Sequence, residues 1–250
     1  MKYIISLLLI ATIAMGAYIP KNFTKAKDMS VRLYHTYHLQ SFYTESPLEP
    51  IVKISSKKFP YKSTLTLQLG FIESPYQGTK YVSRGKTIEW EHITPASWFT
   101  TVNSEIYVAW YIGDNECVTS SGTTYKGRKC ASKVSYLFNQ MESDMYNLVP
   151  VNGALNAMRS DKPYAIIEGE AREFGETVDM EITSKVVEIM PNKRGDVARV
   201  MLYMNSKYGV QFPDHNQTVQ MLNEWSNSDP EDEWEYQKKE ILKATYGMEF

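Results

Sequence analysis

The sequence predicts a single-domain α+β fold, because segments with strand periodicity lie in the middle of the chain and helical segments flank them. Leu65–Leu69 alternates apolar and polar residues, and Thr87–Ile93 does the same with Ile88 and Trp90 on one face. Gly195–Tyr208 instead repeats apolar residues at helical spacing. No internal repeat, low-complexity tract or Pro/Gly-rich linker divides the chain.

The N-terminus has the pattern of a cleavable signal peptide. One lysine, Lys2, precedes the apolar residues 4–14, and the small residues Gly16 and Ala17 follow. The apolar stretch is shorter than the roughly 20 residues that span a bilayer, so a membrane anchor is the weaker interpretation. We expect residues 1–17 to be removed on export and residues 18–250 to form the mature domain, a monomer in the periplasm or outside the cell.

Residues 23–40, which contain no proline or glycine, are predicted to form a helix. Residues 41–62 are predicted to be a loop because proline and lysine interrupt them. The strand at 87–93 should end at Thr94-Pro95, since proline cannot donate a hydrogen bond to a sheet.

Gly113–Ser132 is predicted to be a polar loop that holds both cysteines, Cys117 and Cys130. In an exported protein such a pair is expected to form a disulfide, which would stabilise the fold by about 3 kcal/mol. Two buried free thiols are the alternative.

Several elements are predicted towards the C-terminus. A turn at Asn152-Gly153 should precede a short helix over residues 154–160, and residues 185–189 should form a strand. The helix at 195–208 should end at Gly209, and a shorter helix is expected over 218–225. Asp229-Pro230 is predicted to open the last helix, with Asp229 as the N-cap.

Charge is distributed unevenly, although the net charge is only −2. Residues 51–133 hold eleven lysines and arginines against six acids, whereas residues 224–250 hold eight acids against three lysines. This asymmetry is consistent with one face that binds a polyanion, although a charge run is more often plain surface.

Glu91-His92, together with the segment 141–160, indicates hydrolytic chemistry on a phosphodiester. A carboxylate and an asparagine amide offer the hard oxygen ligands that Mg²⁺ prefers, and a histidine titrating near neutrality is a suitable general base. Neighbours in a strand point to opposite faces, so we expect the strand end to twist Glu91 and His92 towards one phosphate. Taken alone, a Glu-His pair is more often surface or core, Asn156 could merely start a helix, and Arg128 could be a solvated loop residue.

The chain resembles the bacterial endonuclease I family, which comprises nonspecific nucleases of the His-Me finger (ββα-metal) class, and the matching motifs follow one another in the same order. The match covers IEWEHITPASWF at 88–99, GRK at 127–129 and MESDMYNLVP at 141–150, followed by Asn156 and Arg159. It continues through GDVAR at 195–199 to DPEDEWE at 229–235.

The resemblance implies a His-Me finger core with flanking helices and an endonuclease that cuts DNA, and also RNA, to leave 5′-phosphates. By position His92 corresponds to the general base, Glu91 and Asn156 to the ligands of Mg²⁺ (or Mn²⁺ or Ca²⁺), and Arg128 to the arginine near the scissile phosphate. Supporting roles fall to Asp144, Asn147 and Arg159.

The sequence departs from the family pattern at three places. Tyr146 replaces a histidine, Ala157-Met158 replaces Gly-Asp, and the chain ends in GMEF rather than in an Asn-Pro-Phe motif. Two alternatives therefore stay open: a weakened homologue that binds nucleic acid without cutting it, and a structural exported protein that keeps only the fold.

Overall fold

A computed structural model describes residues 20–37, 39–43, 45, 48–53, 62–67, 79–85, 87–169, 174, 178–212 and 218–250. Within these residues the helices are α1 (Phe23–Thr36), α2 (Thr79–Arg84), α3 (Ser104–Tyr111), α4 (Arg128–Val134), α5 (Tyr136–Glu142), α6 (Gly153–Arg159), α7 (Arg194–Tyr208), α8 (Val219–Ser228) and α9 (Glu233–Tyr246). The strands are β1 (Leu48–Lys53), β2 (Lys62–Leu67), β3 (Ile88–His92), β4 (Leu148–Asn152), β5 (Met180–Ile182) and β6 (Val187–Ile189). Short 3-10 helices cover Ala96–Thr101, Met145–Asn147 and Pro191–Lys193.

The strands pair as small antiparallel sheets, β1 with β2, β3 with β4 and β5 with β6. In the β3–β4 pair Glu91 lies opposite Val149 and His92 lies opposite Leu148. The long connection between these two strands contains α3, α4 and α5, and it returns the chain to β3 through the 3-10 helix at Met145–Asn147. The mixture of helices with small antiparallel sheets agrees with the predicted α+β class.

The core lies around β4, whose five residues are all buried. Leu148 and Val151 are fully buried there, as are Phe99, Phe138 and Leu155 around them. Burying an aliphatic or aromatic side chain of this size contributes about 1.5–3 kcal/mol, so this packing holds the ends of β3 and β4 in place.

Helix α6 starts directly at the end of β4. The Asn152 Oδ1 accepts from the backbone N–H of Ala154 at 2.8 Å, and its Nδ2 donates to the Gly85 carbonyl at 2.8 Å. A Cβ on Gly153 would lie 2.6 Å from the Arg84 carbonyl oxygen, so only glycine fits between β4 and α2. The predicted turn at Asn152-Gly153 is thus a helix N-cap, and it presents Asn156 and Arg159 to β3.

Other local predictions need correction. Strand β1 lies within residues 41–62, which were predicted to be a loop, and α4 begins inside the predicted loop 113–132. The last helix begins at Glu233 rather than at Pro230: Asp232 is its N-cap, accepting from the backbone N–H of Glu235 at 2.8 Å. Asp229 instead ends α8 and accepts from the backbone N–H of Gly195. Tertiary contacts, not local capping preference, decided between the two aspartates.

The disulfide prediction is confirmed, since Cys117 and Cys130 are bonded and both are fully buried. The predicted signal peptide, residues 1–17, lies outside the described residues. Within the residues that are described, no helix is long and apolar enough to cross a membrane.

Candidate active site

His92, the last residue of β3, is held by a backbone hydrogen bond and by two aromatic rings. Its Nε2 lies 2.8 Å from the carbonyl oxygen of Glu142. A carbonyl oxygen can only accept, so Nε2 carries the proton and a neutral ring keeps the lone pair on Nδ1. The rings of Phe23 and Phe99 lie 4.8 and 6.1 Å from the imidazole ring, between centroids.

This environment keeps the imidazole neutral. Burial, reinforced by the positive charge of Arg128, lowers the pKa of His92 from 6.5 to about 3. At physiological pH the ring therefore needs no deprotonation before its Nδ1 can accept a proton.

Glu142, the last residue of α5, links His92 to Arg128. Its carboxylate accepts a short hydrogen bond from the Arg128 Nε and another from the Ser132 Oγ at 2.8 Å. Arg128 and Ser132 lie four residues apart on α4, so they share one helix face. The arginine side chain is 42% exposed while the carboxylate is 6% exposed, so Glu142 anchors a guanidinium that still reaches solvent.

The sequence interpretation gave Glu142 no role. Its position two residues before Asp144, within the matched segment, was the available signal. That signal could not show that the backbone carbonyl of the same residue would bind His92.

Glu91 has different hydrogen-bond partners from His92, although the two residues are adjacent in sequence. The Oε1 atom accepts from the Tyr43 hydroxyl at 2.8 Å and from the Tyr164 hydroxyl at 3.4 Å, and it forms an ion pair with Arg159 at 3.1 Å. Burial raises the pKa of Glu91 above its ordinary value, and the charge of Arg159 opposes that rise. Tyr43 and Tyr164 lie outside the sequence motifs that predict the site.

Asn156 is directed at a different carboxylate. Its Nδ2 donates to the Glu89 Oε2 at 2.8 Å, and the Arg84 guanidinium forms an ion pair with the same carboxylate. Asn156 and Arg159 lie one turn apart on α6, and they contact Glu89 and Glu91, which lie about 7 Å apart along one face of β3.

The three residues that are predicted to converge on one cation each have their own direct partners. Glu91 and Asn156 share the β3–α6 face, but Arg159 and Glu89 are their direct partners. Among the described residues the His92 ring contacts Phe23, Phe99 and the Glu142 carbonyl.

The oxygens on the β3–α6 face fit a hard divalent cation. The Glu91 Oε2 is buried and has no hydrogen-bond partner among the described residues, an arrangement that is costly for a carboxylate. Because Asn156 donates through its nitrogen, its carbonyl oxygen stays available as a ligand. Carboxylate and amide oxygens are the donors that Mg²⁺ and Ca²⁺ take.

Asn147 and Asp144 lie beside the strand ends. The Asn147 side chain accepts from the Thr94 backbone N–H at 2.7 Å and donates to the Thr94 carbonyl at 3.0 Å, so it fixes the backbone that follows His92. Asp144 is buried and accepts from the Tyr203 and Tyr208 hydroxyls at 2.9 and 2.7 Å. These contacts hold the segment before β4 against α7.

Two of the sequence departures meet in space. The ring of Tyr146 lies 4.6 Å from the ring of Phe250, the last residue, and 4.9 Å from the ring of Tyr203. Tyr146 is buried, so the tyrosine fills an aromatic cluster that includes the C-terminal phenylalanine.

A separate acidic cluster lies at the N-terminus of α7, where ligand atoms of Asp196, Asp232 and Glu235 come within 4.8 Å of one another. Lys193 forms ion pairs with Asp196 and Asp232 at 3.2 and 3.0 Å, and Arg199 pairs with Glu235. Side-chain cations thus already compensate these carboxylates, and the cluster joins α7 to α9.

Comparison with known proteins shows a family match over nearly the whole chain. Residues 19–249 match the family model for Endonuclease I. The chain is 27% identical over 246 residues to a periplasmic deoxyribonuclease of Aeromonas hydrophila, a match that covers 97% of this chain and 90% of that protein. It is 30% identical over 175 residues to an extracellular deoxyribonuclease of the same bacterium, covering 69% and 68% of the two chains. An endonuclease-1 of Buchnera aphidicola subsp. Acyrthosiphon pisum (strain APS) is 27% identical over 168 residues, covering 67% and 59%.

Proposed function

The chain belongs to the endonuclease I family, and from this we propose that it is an exported, metal-dependent endonuclease. Its substrate would be the phosphodiester backbone of DNA, and also of RNA, cut without base preference to leave 5′-phosphates. The observation that carries the proposal is a neutral, backbone-anchored His92 directly beside a buried Glu91, one of whose carboxylate oxygens has no hydrogen-bond partner among the residues that the structure describes.

We infer that β3, β4 and α6 are the ββα unit of a His-Me finger. Two antiparallel strands are followed directly by a helix, with His92 at the end of the first strand and Asn156 on the helix. This order of elements supports the assignment, together with the family match.

His92 would act as the general base. Its Nε2–H is fixed by the Glu142 carbonyl, so the ring is oriented and the Nδ1 lone pair is free to take a proton from water. Phe23 and Phe99 restrict the ring further and exclude bulk solvent. Glu142 would position both this base and Arg128.

Arg128 would contact the scissile phosphate. Glu142 engages its Nε, and the outer nitrogens of the half-exposed guanidinium remain able to donate to phosphate oxygens. Such donors stabilise the charge that develops in the transition state.

The side-chain oxygens of Glu91 and Asn156 would hold a divalent cation, Mg²⁺ or alternatively Mn²⁺ or Ca²⁺. When bound, the cation would neutralise charge on the phosphate and on the leaving oxygen. Arg159, Tyr43 and Tyr164 would keep the Glu91 carboxylate in one orientation through its other oxygen.

Two relatives are named as periplasmic and extracellular enzymes, which together with the apolar residues 4–14 supports export of this chain. No observation favours a homologue that only binds nucleic acid. That alternative was motivated by Tyr146 and by Ala157-Met158; Tyr146 packs against Tyr203 and Phe250.

Purified mature protein incubated with supercoiled plasmid, with Mg²⁺ or with EDTA, tests the proposal. We expect nicking and then degradation with the metal, and intact plasmid with the chelator. Equal cutting in EDTA would contradict metal dependence. Retarded but uncut plasmid would favour the binding-only alternative, and no interaction would favour a structural protein.

A further inference from the structure

A cleft of about 710 Å³ lies next to His92, between the start of the described chain and α4. Lys21 and Phe23 line the cleft from the N-terminal segment, Lys129 and Lys133 line it from α4, and Glu142 lines it from the end of α5. The cleft adjoins the candidate active site, because Phe23 packs on the His92 ring and the Glu142 carbonyl binds its Nε2.

The lining of the cleft carries surplus positive charge. Among the described lining residues the cations are Lys21, Arg128, Lys129 and Lys133, and the one acid is Glu142, which pairs with Arg128. None of the three lysines forms an ion pair with any residue that the structure describes. Lys129 and Lys133 lie one helical turn apart, about 6 Å along the axis of α4, and the Lys133 ammonium also donates to the Glu116 carbonyl.

The other recognition groups in the cleft are already in use. The Phe23 ring is approached by Lys27 and Arg128 at 4.5 and 4.6 Å, and the Tyr125 ring by Lys129 at 4.9 Å. The Asn139 amide donates to the carbonyls of Ser132 and Ser135. The cleft therefore offers charge to phosphates, and the two aromatic rings among its described lining residues already have cations packed against them.

We propose that this cleft binds the phosphates of the nucleic-acid strand next to the scissile phosphate, with Lys21, Lys129 and Lys133 as the contacts. The inference rests on the proposed function for the nature of the ligand. It adds that the first residues of the mature chain form one wall of the substrate groove. Recognition there is by backbone charge, so affinity is independent of base sequence.

Binding of a labelled 12-nucleotide strand, followed by fluorescence anisotropy in EDTA over a range of salt concentrations, tests the proposal without cleavage. The test variant is Lys129→Gln/Lys133→Gln. The matched control is Lys185→Gln/Lys243→Gln, which removes two exposed lysines outside the cleft. A third variant, Lys21→Gln, probes the lining from the N-terminal segment.

We expect at least tenfold weaker binding by the cleft variant at low salt. Each lost phosphate contact should also lower the slope of log K against log salt by about 0.7, so two contacts lower it by about 1.4. Lys21→Gln should lower the slope by half as much, and the control pair should keep both slope and affinity. Oligo-dT and oligo-dA should bind alike.

A cleft variant that behaves like the control pair, or a wild-type protein that does not bind the strand, would overturn the proposal. Urea unfolding of each variant shows whether weaker binding reflects a lost fold. The two proposals can fail separately. If the wild-type protein cuts DNA but the cleft variant keeps the wild-type salt slope, only the cleft proposal is contradicted. If the cleft variant lowers the slope but the wild-type protein shows no metal-dependent cutting, only the proposed nuclease function is contradicted.

Discussion

Arg159 forms an ion pair with Glu91 at 3.1 Å, and its guanidinium also donates to the carbonyl oxygens of His92 and Ile93 at 2.7 and 2.6 Å. One buried side chain from α6 thus holds both the carboxylate and the backbone of the strand end that carries the candidate base. Both side chains of the pair are 1% exposed, so neither charge has water as a substitute partner.

Arg159→Met is expected to lower the free energy of unfolding by about 3–5 kcal/mol, because it leaves the Glu91 carboxylate buried without a counter-ion. Urea unfolding followed by tryptophan fluorescence measures this. The exposed Arg32→Met serves as the control and should change little. Adding Glu91→Gln to Arg159→Met should recover part of the loss; strictly additive costs would show that the pair is not coupled.

His92→Gln should reduce kcat for plasmid cleavage by about 10²–10⁴-fold, since the amide cannot serve as the base. The glutamine amide can still donate to the Glu142 carbonyl, so the fold should persist. Initial rates, with circular dichroism to confirm folding, provide the measurement. Wild-type turnover by this variant would remove His92 from the chemistry.

His92 should also contribute a pH dependence to stability. Its pKa in the folded chain is about 3, below the ordinary 6.5, so the unfolded chain takes up the proton first as the pH falls. Stability is therefore lost as pH falls from 6.5 towards 3, by about 1.4 kcal/mol per pH unit. The difference in unfolding free energy between wild type and His92→Gln isolates this contribution. A difference that stays constant over that range would mean that the imidazole is not buried in the neutral form.

Arg128→Ala is expected to lower kcat by about 10²-fold while changing DNA affinity much less, because the guanidinium would act on charge that develops in the transition state. Steady-state cleavage and binding in EDTA give the two quantities. Lys126→Ala, which removes a neighbouring exposed cation, is the control. A larger effect on affinity than on turnover would make Arg128 a binding residue only.

Removing the disulfide with Cys117→Ser/Cys130→Ser should cost about 3 kcal/mol of unfolding free energy. Cleavage should fall as well, because Cys130 fixes the first turn of α4, where Arg128 begins the helix. Unfolding with and without dithiothreitol measures the effect. The reductant should destabilise the wild type and leave the double variant unchanged; full activity in the double variant would show that α4 holds its position without the bond.

The sequence by itself determined the class of fold, the strand that carries Glu91-His92, the long helix ending at Gly209, the disulfide and the family. These features depend on local periodicity, on capping by residues near in sequence, or on residue identities in a fixed order. The start of the last helix was predicted wrongly because Asp229 and Asp232 are both good local caps; in the structure Asp229 accepts from the Gly195 N–H, and Asp232 caps the helix and pairs with Lys193.

Only the tertiary structure decided which partners each candidate residue has. Glu142 reaches His92 through its backbone carbonyl, Asn156 bonds Glu89 rather than Glu91, and Phe23 packs on a ring 69 positions further along the chain. Such contacts depend on how helices and strands pack across the core, and burial then lowers the pKa of His92 and raises that of Glu91. Residue spacing along the chain does not encode these contact partners or these pKa values, because both depend on groups that are distant in sequence and meet only after folding.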